Sequence, residues 1–258
     1  MKTILEVNTT KNNLTVDANN ISEYPCLELT GISLRQPFKG REYEFVYEYI
    51  QSKIPSALSK QKKTVFVEPR VDSTFPDIVI VYFDNNFSNN LPYRRPKLRK
   101  LDFKILHYIF TQKSVEKAQL KMVFPDGYSK SIKLLIESEL IESKCGKWQT
   151  QSLKKIFGIQ RLIAIEAKIS NWQQGLQQAF RNSWFASESY LLLPHIPNTE
   201  DIFKEASRLG VGILTADQSL ANSVLPPQIG KLPKSYASWL FNEWTWRLEI
   251  GTKYDQKL

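Results

Sequence analysis

Residues 162–168 constrain the fold most strongly, because an uninterrupted apolar run there ends in two charges of opposite sign. The run Leu-Ile-Ala-Ile is typical of a buried β-strand, and Glu166 and Lys168 close the stretch. Residues two apart in a strand share a face, so these two side chains should project together. They form either an ordinary salt bridge at the strand edge or a site in which the carboxylate binds metal and the lysine acts on water or phosphate. The opposite face then carries Ile163, Ile165 and Ala167.

The pattern downstream of this stretch alternates helices and strands and predicts an α/β fold. An amphipathic helix is predicted over residues 171–181, and a second helix over residues 202–209 ends at Gly210, a typical C-cap residue. Short buried strands are predicted at residues 189–194 and 212–215. Such alternation implies right-handed crossovers and a mixed central sheet flanked by helices. The first helix is predicted to turn Trp172, Leu176, Ala179 and Phe180 inward.

Two β-prone runs upstream, at residues 65–67 and 78–83, flank a proline-containing turn region and are interpreted as a hairpin. Asp77 follows Pro76 and opens the second run, so its carboxylate should stand at the mouth of the strand. The alternative is a simple turn aspartate, because Pro-Asp is common in turns.

An amphipathic helix is predicted over residues 40–50, ahead of the hairpin. Its Glu44 lies beside the apolar stripe and either points towards the site or is solvated on the helix surface. Residues 1–35 are polar and rich in Asn and Thr, and short β-prone pieces at residues 4–7 and 27–34 predict an N-terminal strand or arm.

A different pattern, three helices followed by a hairpin, is predicted for residues 98–152. The first helix begins near Leu98, the second covers residues 115–123, and the third covers residues 129–139. The hairpin, over residues 141–149, turns at Cys145-Gly146. The apolar face of the third helix is Ile132, Leu135 and Ile136, and the basic residues of the region are Arg94, Arg95, Lys97, Arg99, Lys100, Lys130, Lys133, Lys144 and Lys147.

Three helices and a basic hairpin resemble a winged helix-turn-helix DNA-binding domain. The resemblance implies that Lys130 and Lys133 lie on the recognition helix, that Lys144 and Lys147 lie on the wing, and that all four bind duplex DNA. The alternative is a small helical insertion that contributes only packing.

A last helix is predicted over residues 235–250 and is rich in aromatic side chains, among them Trp239, Phe241 and Trp244. We interpret them as core residues or as contacts of a homodimer. Base stacking is a less favoured use of these rings.

Composition narrows the class of partner. With 258 residues and 42% hydrophobic content, the chain can bury a substantial core, and its net charge of +9 favours a polyanion, nucleic acid first and an anionic membrane second. We find neither an apolar run of about 18 residues nor a signal-like N-terminus, so a cytoplasmic location and no membrane partner are expected. The cysteines, Cys26 and Cys145, form no zinc or disulfide pattern, and two histidines leave little material for histidine-based sites.

Taken together, the order of these features resembles the PD-(D/E)XK superfamily, the restriction-endonuclease-like enzymes that include archaeal Holliday-junction resolvases and Mrr-like nucleases. The resemblance covers about residues 36–84 and 157–216 and rests on Pro76-Asp77, Glu166-Ala167-Lys168 and the flanking helices. The gap from Asp77 to Glu166 is far longer than a hairpin needs, and an inserted winged helix explains both the gap and the basic run. We therefore expect a discontinuous nuclease core at residues 1–97 and 153–258, with an inserted domain at residues 98–152.

The same resemblance implies a role for each site residue. Asp77 and Glu166 would hold Mg²⁺, with Mn²⁺ as the alternative ion and the Ala167 carbonyl as a further ligand. Lys168 would orient the attacking water and offset charge on the phosphate. Glu44 would bind metal-bound water or a second ion, and Gln178, or else the adjacent Gln177, would position the lysine or the phosphate.

We therefore expect a metal-dependent DNA endonuclease, restriction-like or defence-like, that acts on double-stranded DNA. One competing hypothesis is a DNA-binding regulator on a nuclease scaffold that no longer cuts. Another is a helical interaction module that is basic for solubility, which leaves the coincidence of Asp77, Glu166 and Lys168 unexplained.

Overall fold

The computed structural model divides the chain into two compact units. The sheet unit comprises residues 1–22, 33–83 and 160–232, and the helical unit comprises residues 23–32, 84–159 and 233–258. Of the short pieces expected in the N-terminal region, residues 4–7 and most of residues 27–34 lie outside the described part of the chain. The structure describes residues 13–23, 32–36, 38–54, 61–84, 86, 87 and 97–254.

The helices and strands that the sequence predicted from residue 40 onwards occur in the predicted order, whereas the strand at residues 13–16 and the short helix at residues 153–156 were not predicted. The helices are α1 (Arg41–Lys53), α2 (Lys100–Gln112), α3 (Lys117–Val123), α4 (Tyr128–Glu137), α5 (Leu153–Ile156), α6 (Trp172–Asn182), α7 (Asp201–Leu209) and α8 (Tyr236–Tyr254). The strands are β1 (Asn13–Val16), β2 (Gln61–Val67), β3 (Ile78–Asp84), β4 (Ile141–Lys144), β5 (Lys147–Thr150), β6 (Ile159–Ala167), β7 (Glu188–Leu193) and β8 (Gly212–Thr215).

A six-stranded sheet in the order β1-β2-β3-β6-β7-β8 forms the sheet unit. β1 pairs with β2 in parallel, as do β6 with β7 and β7 with β8. β2 and β3 are neighbours joined by residues 68–77, in keeping with the hairpin interpretation. The prediction of an α/β fold with a central sheet flanked by helices is confirmed at this level. The order also makes β3 and β6 neighbours, although β4 and β5 separate them in the sequence.

The alternation of side chains along β6 separates two apolar cores. Ile163, Ile165 and Ala167 pack with Val46 and Tyr49 of α1. Leu176 and Ala179 of α6, with Ile202 of α7, pack on Leu191 and Leu193 of β7. Glu166 therefore lies on the α6 side of the sheet, opposite the face of Ile163, Ile165 and Ala167, as the alternation of side chains along a strand predicted.

Phe180 was predicted to face inward, and that prediction is wrong. The buried residues of α6 are Gly175, Leu176, Ala179 and Asn182, whereas Phe180 is exposed. Successive helical residues are separated by about 100°, so a stripe through positions 175, 179 and 182 leaves position 180 turned towards solvent.

In the helical unit, three helices precede a two-stranded hairpin, as predicted. The hairpin turns at Cys145 and Gly146, both of which have positive φ (50° and 73°), as a two-residue type I′ turn requires. Val115 exchanges backbone hydrogen bonds with Trp148 and so ties the hairpin to the α2–α3 connection. Ile132 and Leu135 of α4 are buried as expected, but Ile136 is 44% exposed, which corrects its predicted place on the apolar face.

α8 belongs to the helical unit, whereas the sequence placed residues 153–258 in the core domain. The Trp239 ring packs edge-on against Phe110 and Phe157 of the same unit. The Asn242 amide accepts a hydrogen bond from the N–H of Gly158 and donates one to the carbonyl of Ile156. These apolar and polar contacts hold α8 against α2 and the segment before β6. Among the described residues, we find no helix long and apolar enough to cross a membrane.

Candidate active site

A polar pocket of about 400 Å³ lies in the sheet unit, where β6 ends. It brings together four predicted site residues from three separate parts of the sequence: Asp77, Glu166, Lys168 and Gln178. The remaining lining residues are Arg35, Glu42, Ser73, Thr74, Phe75, Arg181 and Asn182.

Asp77 and Glu166 form a buried pair of carboxylates, only 9% and 5% exposed. Asp77 Oδ2 accepts a hydrogen bond from the backbone N–H of Ala167 at 2.8 Å, and Glu166 Oε1 accepts one from Asn182 Nδ2 at 2.7 Å. The N–H of Glu68 donates to the carbonyl of Asp77 and so fixes the entry into β3. Each carboxylate is therefore held by a different partner while both face one pocket.

Both carboxyl groups have a raised pKa. Burial raises the pKa of Asp77 to about 6, against the lowering effects of the Ala167 hydrogen bond and the Lys168 charge. Burial, and then the negative charge of Asp77, raise the pKa of Glu166 well above its ordinary value. Two buried carboxylates side by side are costly to ionise together, and a bound cation relieves that cost.

Lys168 continues from β6 into the pocket and pairs with a carboxylate on α1. Its Nζ lies 2.5 Å from Oε1 of Glu42. Burial alone lowers the pKa of Lys168, but the Glu42 hydrogen bond and the charges of Asp77, Glu42 and Glu166 together raise it. The side chain is therefore a fixed ammonium group.

Glu42, and not Glu44, is the glutamate that α1 contributes to the pocket. Glu44 is exposed and does not line the pocket. Of the two alternatives for Glu44, the structure therefore agrees with a solvated side chain on the helix surface. Glu42 lies in the first turn of the same helix, two residues earlier. A shift of two residues rotates a side chain by about 200°, and the sequence pattern alone did not identify which glutamate faces the site.

On α6, Gln178 lines the pocket, whereas its neighbour Gln177 is exposed. Gln178 Oε1 is buried and has no hydrogen-bond partner among the residues that the structure describes. Gly175, Gln178 and Asn182 recur at i, i+3 and i+7, so they form one stripe of the helix. That spacing is a sequence signal for Asn182, because it places the Asn182 amide on the same stripe of α6 as Gln178.

Two arginines at the pocket were also missed. Arg35 pairs with the carboxylate of Glu68, and its guanidinium lies 5.0 Å from the centre of the Phe75 ring. Arg181 is exposed and forms no ion pair with any residue in the described ranges. Neither position carries a local sequence signal, because both depend on which loops and helices meet at this end of the sheet.

The donor set fits a hard divalent cation. Within the described ranges, no three His, Cys, Asp or Glu side chains form a metal-binding group, so the side chains alone do not enclose an ion. Magnesium is commonly held by one or two carboxylates and keeps several waters, which suits the open polar space beside Asp77 and Glu166. Two observations favour a cation or a polar ligand here: the raised pKa values of both carboxyl groups, and the Gln178 amide oxygen that has no partner among the described residues.

The four lysines predicted to bind DNA all lie in the helical unit and are exposed. Lys130 and Lys133 are on α4, whereas Lys144 is the last residue of β4 and Lys147 is the first residue of β5. Lys147 Nζ is 2.8 Å from Glu116 Oε1, and Lys133 is 3.9 Å from Glu137. Lys130 and Lys144 form no ion pair with the described residues.

We compared the chain with protein-family models, with curated proteins and with solved structures, and none of the three comparisons gave a match.

Proposed function

We propose that this protein is a metal-dependent DNA endonuclease that hydrolyses phosphodiester bonds in duplex DNA. The observation that carries the proposal is the buried pair Asp77 and Glu166 beside Lys168 in one polar pocket. A structural role alone gives no reason to desolvate two adjacent carboxylates, which makes folding less favourable. Perturbed carboxyl groups in a cleft are typical of catalytic sites.

Asp77, Glu166 and the carbonyl oxygen of Ala167 are the groups that would hold Mg²⁺, or Mn²⁺ in its place. When bound, the ion supplies positive charge to the phosphate and lowers the pKa of a water. The chain's own residues then bind and orient the substrate. The ammonium of Lys168 hydrogen-bonds the attacking water or a phosphate oxygen, and Glu42 holds that ammonium in place.

Two further pocket residues suit a phosphate substrate. The guanidinium of Arg181, which forms no ion pair with the described residues, can form two hydrogen bonds to one phosphate group. The amide of Gln178 can orient the water or the phosphate from α6. Both side chains neighbour the carboxylates in the pocket lining.

Charge distribution supports a DNA-binding role for the helical unit. Residues 97–159 contain thirteen Lys and Arg residues and six Asp and Glu residues, so they carry most of the net charge of +9. Three helices and a hairpin with exposed lysines accord with a winged helix, inserted in a restriction-endonuclease-like core. On this proposal the helical unit grips the duplex and the sheet unit cuts it.

The decisive experiment is a plasmid-cleavage assay with Mg²⁺ or with EDTA. Asp77→Ala and Glu166→Ala should each abolish Mg²⁺-dependent cleavage and leave DNA binding largely intact. Asp201→Ala, which removes an exposed carboxylate from the same unit, is the matched control and should cut normally. Near-normal cutting by either site variant contradicts the assignment, and DNA binding without cutting by the wild-type protein favours the regulator hypothesis.

A further inference from the structure

Gly175 lies where α6 approaches Lys168 most closely. A Cβ atom at this position would lie 2.6 Å from Cγ of Lys168 and 2.7 Å from Cδ1 of Leu191. It would also lie 3.3 Å from Cβ of the same lysine. The space that a side chain at position 175 would fill is therefore occupied by the stem of Lys168.

Backbone conformation does not explain this glycine. Gly175 lies inside α6 and does not have the positive φ of Gly127, Gly146 and Gly210. In a helix interior glycine is less favourable than alanine, because it loses more backbone freedom on folding. The close approach to Lys168 and Leu191 is the feature that excludes a larger residue.

The two clashes differ in how easily they can be relieved. Cδ1 is the end of the leucine side chain, so a change of rotamer moves it away. Cγ of Lys168 is in the middle of the stem, so moving it displaces every atom beyond it, including the ammonium. That ammonium lies 2.5 Å from Glu42 and lines the pocket with both carboxylates.

We propose that Gly175 is the positioning residue of the catalytic lysine. Because Gly175 has no side chain, the aliphatic part of Lys168 packs directly against the backbone of α6. This packing places the Lys168 ammonium in the pocket. A lysine side chain has four rotatable bonds and therefore many conformations. Packing of its aliphatic part against α6 restricts these conformations and so reduces the positions that Nζ can reach. This inference rests on the proposed nuclease function, because it assigns Lys168 a catalytic role.

Gly175→Ala tests the proposal directly. The turnover number for plasmid cleavage should fall about ten- to hundredfold, since small displacements of a catalytic group have effects of that size. DNA affinity should stay within about twofold, because the substitution removes no phosphate contact. Gly40→Ala is the matched control, since its new methyl group meets no atom of the described residues within 4 Å, and it should cut normally.

A double-mutant cycle separates positioning from general damage to the fold. In the Lys168→Ala background Cγ and every atom beyond it are absent, so the 2.6 Å clash and the ammonium it displaces are gone and Gly175→Ala should cause little further loss of turnover. If the glycine instead supports the fold, its substitution should reduce activity by the same factor in both backgrounds. Equal losses in the two backgrounds overturn the proposal.

A second readout does not depend on cleavage. The rate at which an acetylating reagent modifies Lys168, followed by peptide mass spectrometry, should rise severalfold in Gly175→Ala and stay unchanged in Gly40→Ala. An unchanged rate in Gly175→Ala overturns the positioning role even if the wild-type protein proves not to cut. If wild type does not cut but the rate rises, the nuclease proposal fails and the packing relationship stands.

If Gly175→Ala does not fold, the variant that combines it with Leu191→Ala relieves the contact with leucine and keeps the contact with lysine. That double variant, compared with Leu191→Ala alone, should show the same loss of turnover and the same rise in acetylation. Normal turnover and normal acetylation in the double variant overturn the proposal.

Discussion

Asp77 Oδ2 accepts a hydrogen bond from the backbone N–H of Ala167, 90 positions away in the sequence. Ala167 lies between Glu166 and Lys168, so this one bond fixes Asp77 relative to both of the other charged site residues. The register of β6 turns Glu166 and Lys168 to the same face and leaves Ala167 in the core behind them. The arrangement of the site is thus a consequence of how β3 enters the sheet beside β6.

The raised pKa of Asp77 predicts that the metal-free site destabilises the fold at neutral pH. The folded protein binds the Asp77 proton more tightly than the unfolded chain does, so the free energy of unfolding falls as the pH rises from about 4 through about 6. Asp77→Asn keeps an acceptor oxygen for Ala167 and removes the charge. In EDTA at pH 8 it should be more stable than wild type by about 1–3 kcal/mol, and the difference should shrink towards zero at pH 4.

Urea unfolding at the two pH values checks this prediction, and Mg²⁺ supplies its control. If Asp77 binds the ion, saturating Mg²⁺ should stabilise wild type and have little effect on Asp77→Asn. An asparagine variant that is less stable than wild type at pH 8 in EDTA would contradict the argument from burial.

Asn182 is predicted to support metal binding through Glu166. Its Nδ2 donates to Glu166 Oε1 at 2.7 Å, and the residue is almost completely buried. Asn182→Leu removes the donor, and the affinity for Mg²⁺ should fall about ten- to hundredfold, as is usual when a partner of a ligating carboxylate is lost. Calorimetric titration measures the affinity, and Asn182→Gln, which keeps an amide donor, should recover part of it. Equal Mg²⁺ affinity in wild type and Asn182→Leu excludes this role.

Gln177 and Gln178 offer a matched pair of substitutions on α6. Gln178 lines the pocket and has a buried amide oxygen without a partner among the described residues, whereas Gln177 is exposed. Gln178→Ala should lower the cleavage rate about tenfold or more, because a positioned amide that hydrogen-bonds the water or the phosphate stabilises the charge that develops in the transition state. Gln177→Ala should cut at the wild-type rate. Similar losses in both variants would assign the effect to helix stability and not to the pocket.

Much of the fold was predictable because its signals are local. The run Leu-Ile-Ala-Ile before Glu166 identified β6, Gly210 marked the end of α7, and the Cys145-Gly146 pair marked the hairpin turn. In each case a few consecutive residues determine the conformation, through burial, a left-handed cap or a tight turn.

The parts that were missed depend on contacts between distant segments. Glu42 and Glu44 are both compatible with an amphipathic helix, and only the rotation of α1 over the sheet brings Glu42 to Lys168. The assignment of α8 to the helical unit depends on Trp239 meeting Phe110 and Phe157. Sequence periodicity shows that a face is apolar, but it does not show which partner covers that face.

The two lysines at the tip of the hairpin should differ in their contribution to DNA binding. Lys144 is exposed and without an ion pair among the described residues, whereas Lys147 lies 2.8 Å from Glu116. The hydrogen bond and the negative charge of Glu116 raise the pKa of Lys147. In the same way, the hydrogen bond and the positive charge of Lys147 lower the pKa of Glu116. A phosphate must compete with that glutamate for Lys147, so Lys144 should be the stronger contact.

Binding of a short DNA duplex, measured over a range of salt concentrations, tests this difference. Lys144→Ala should reduce the slope of log K against log [salt] by about one unit, as expected for one lost phosphate contact. Lys147→Ala should reduce it by clearly less, and Glu116→Gln, which releases Lys147, should strengthen binding and steepen the slope. Cleavage of already bound DNA in a single turnover should be nearly unchanged in all three variants, because these residues lie outside the sheet unit that carries Asp77, Glu166 and Lys168.

If a variant that lacks Lys130, Lys133, Lys144 and Lys147 together still folds and binds DNA with wild-type affinity and salt slope, the winged-helix proposal fails. The nuclease proposal would then rest on the pocket alone.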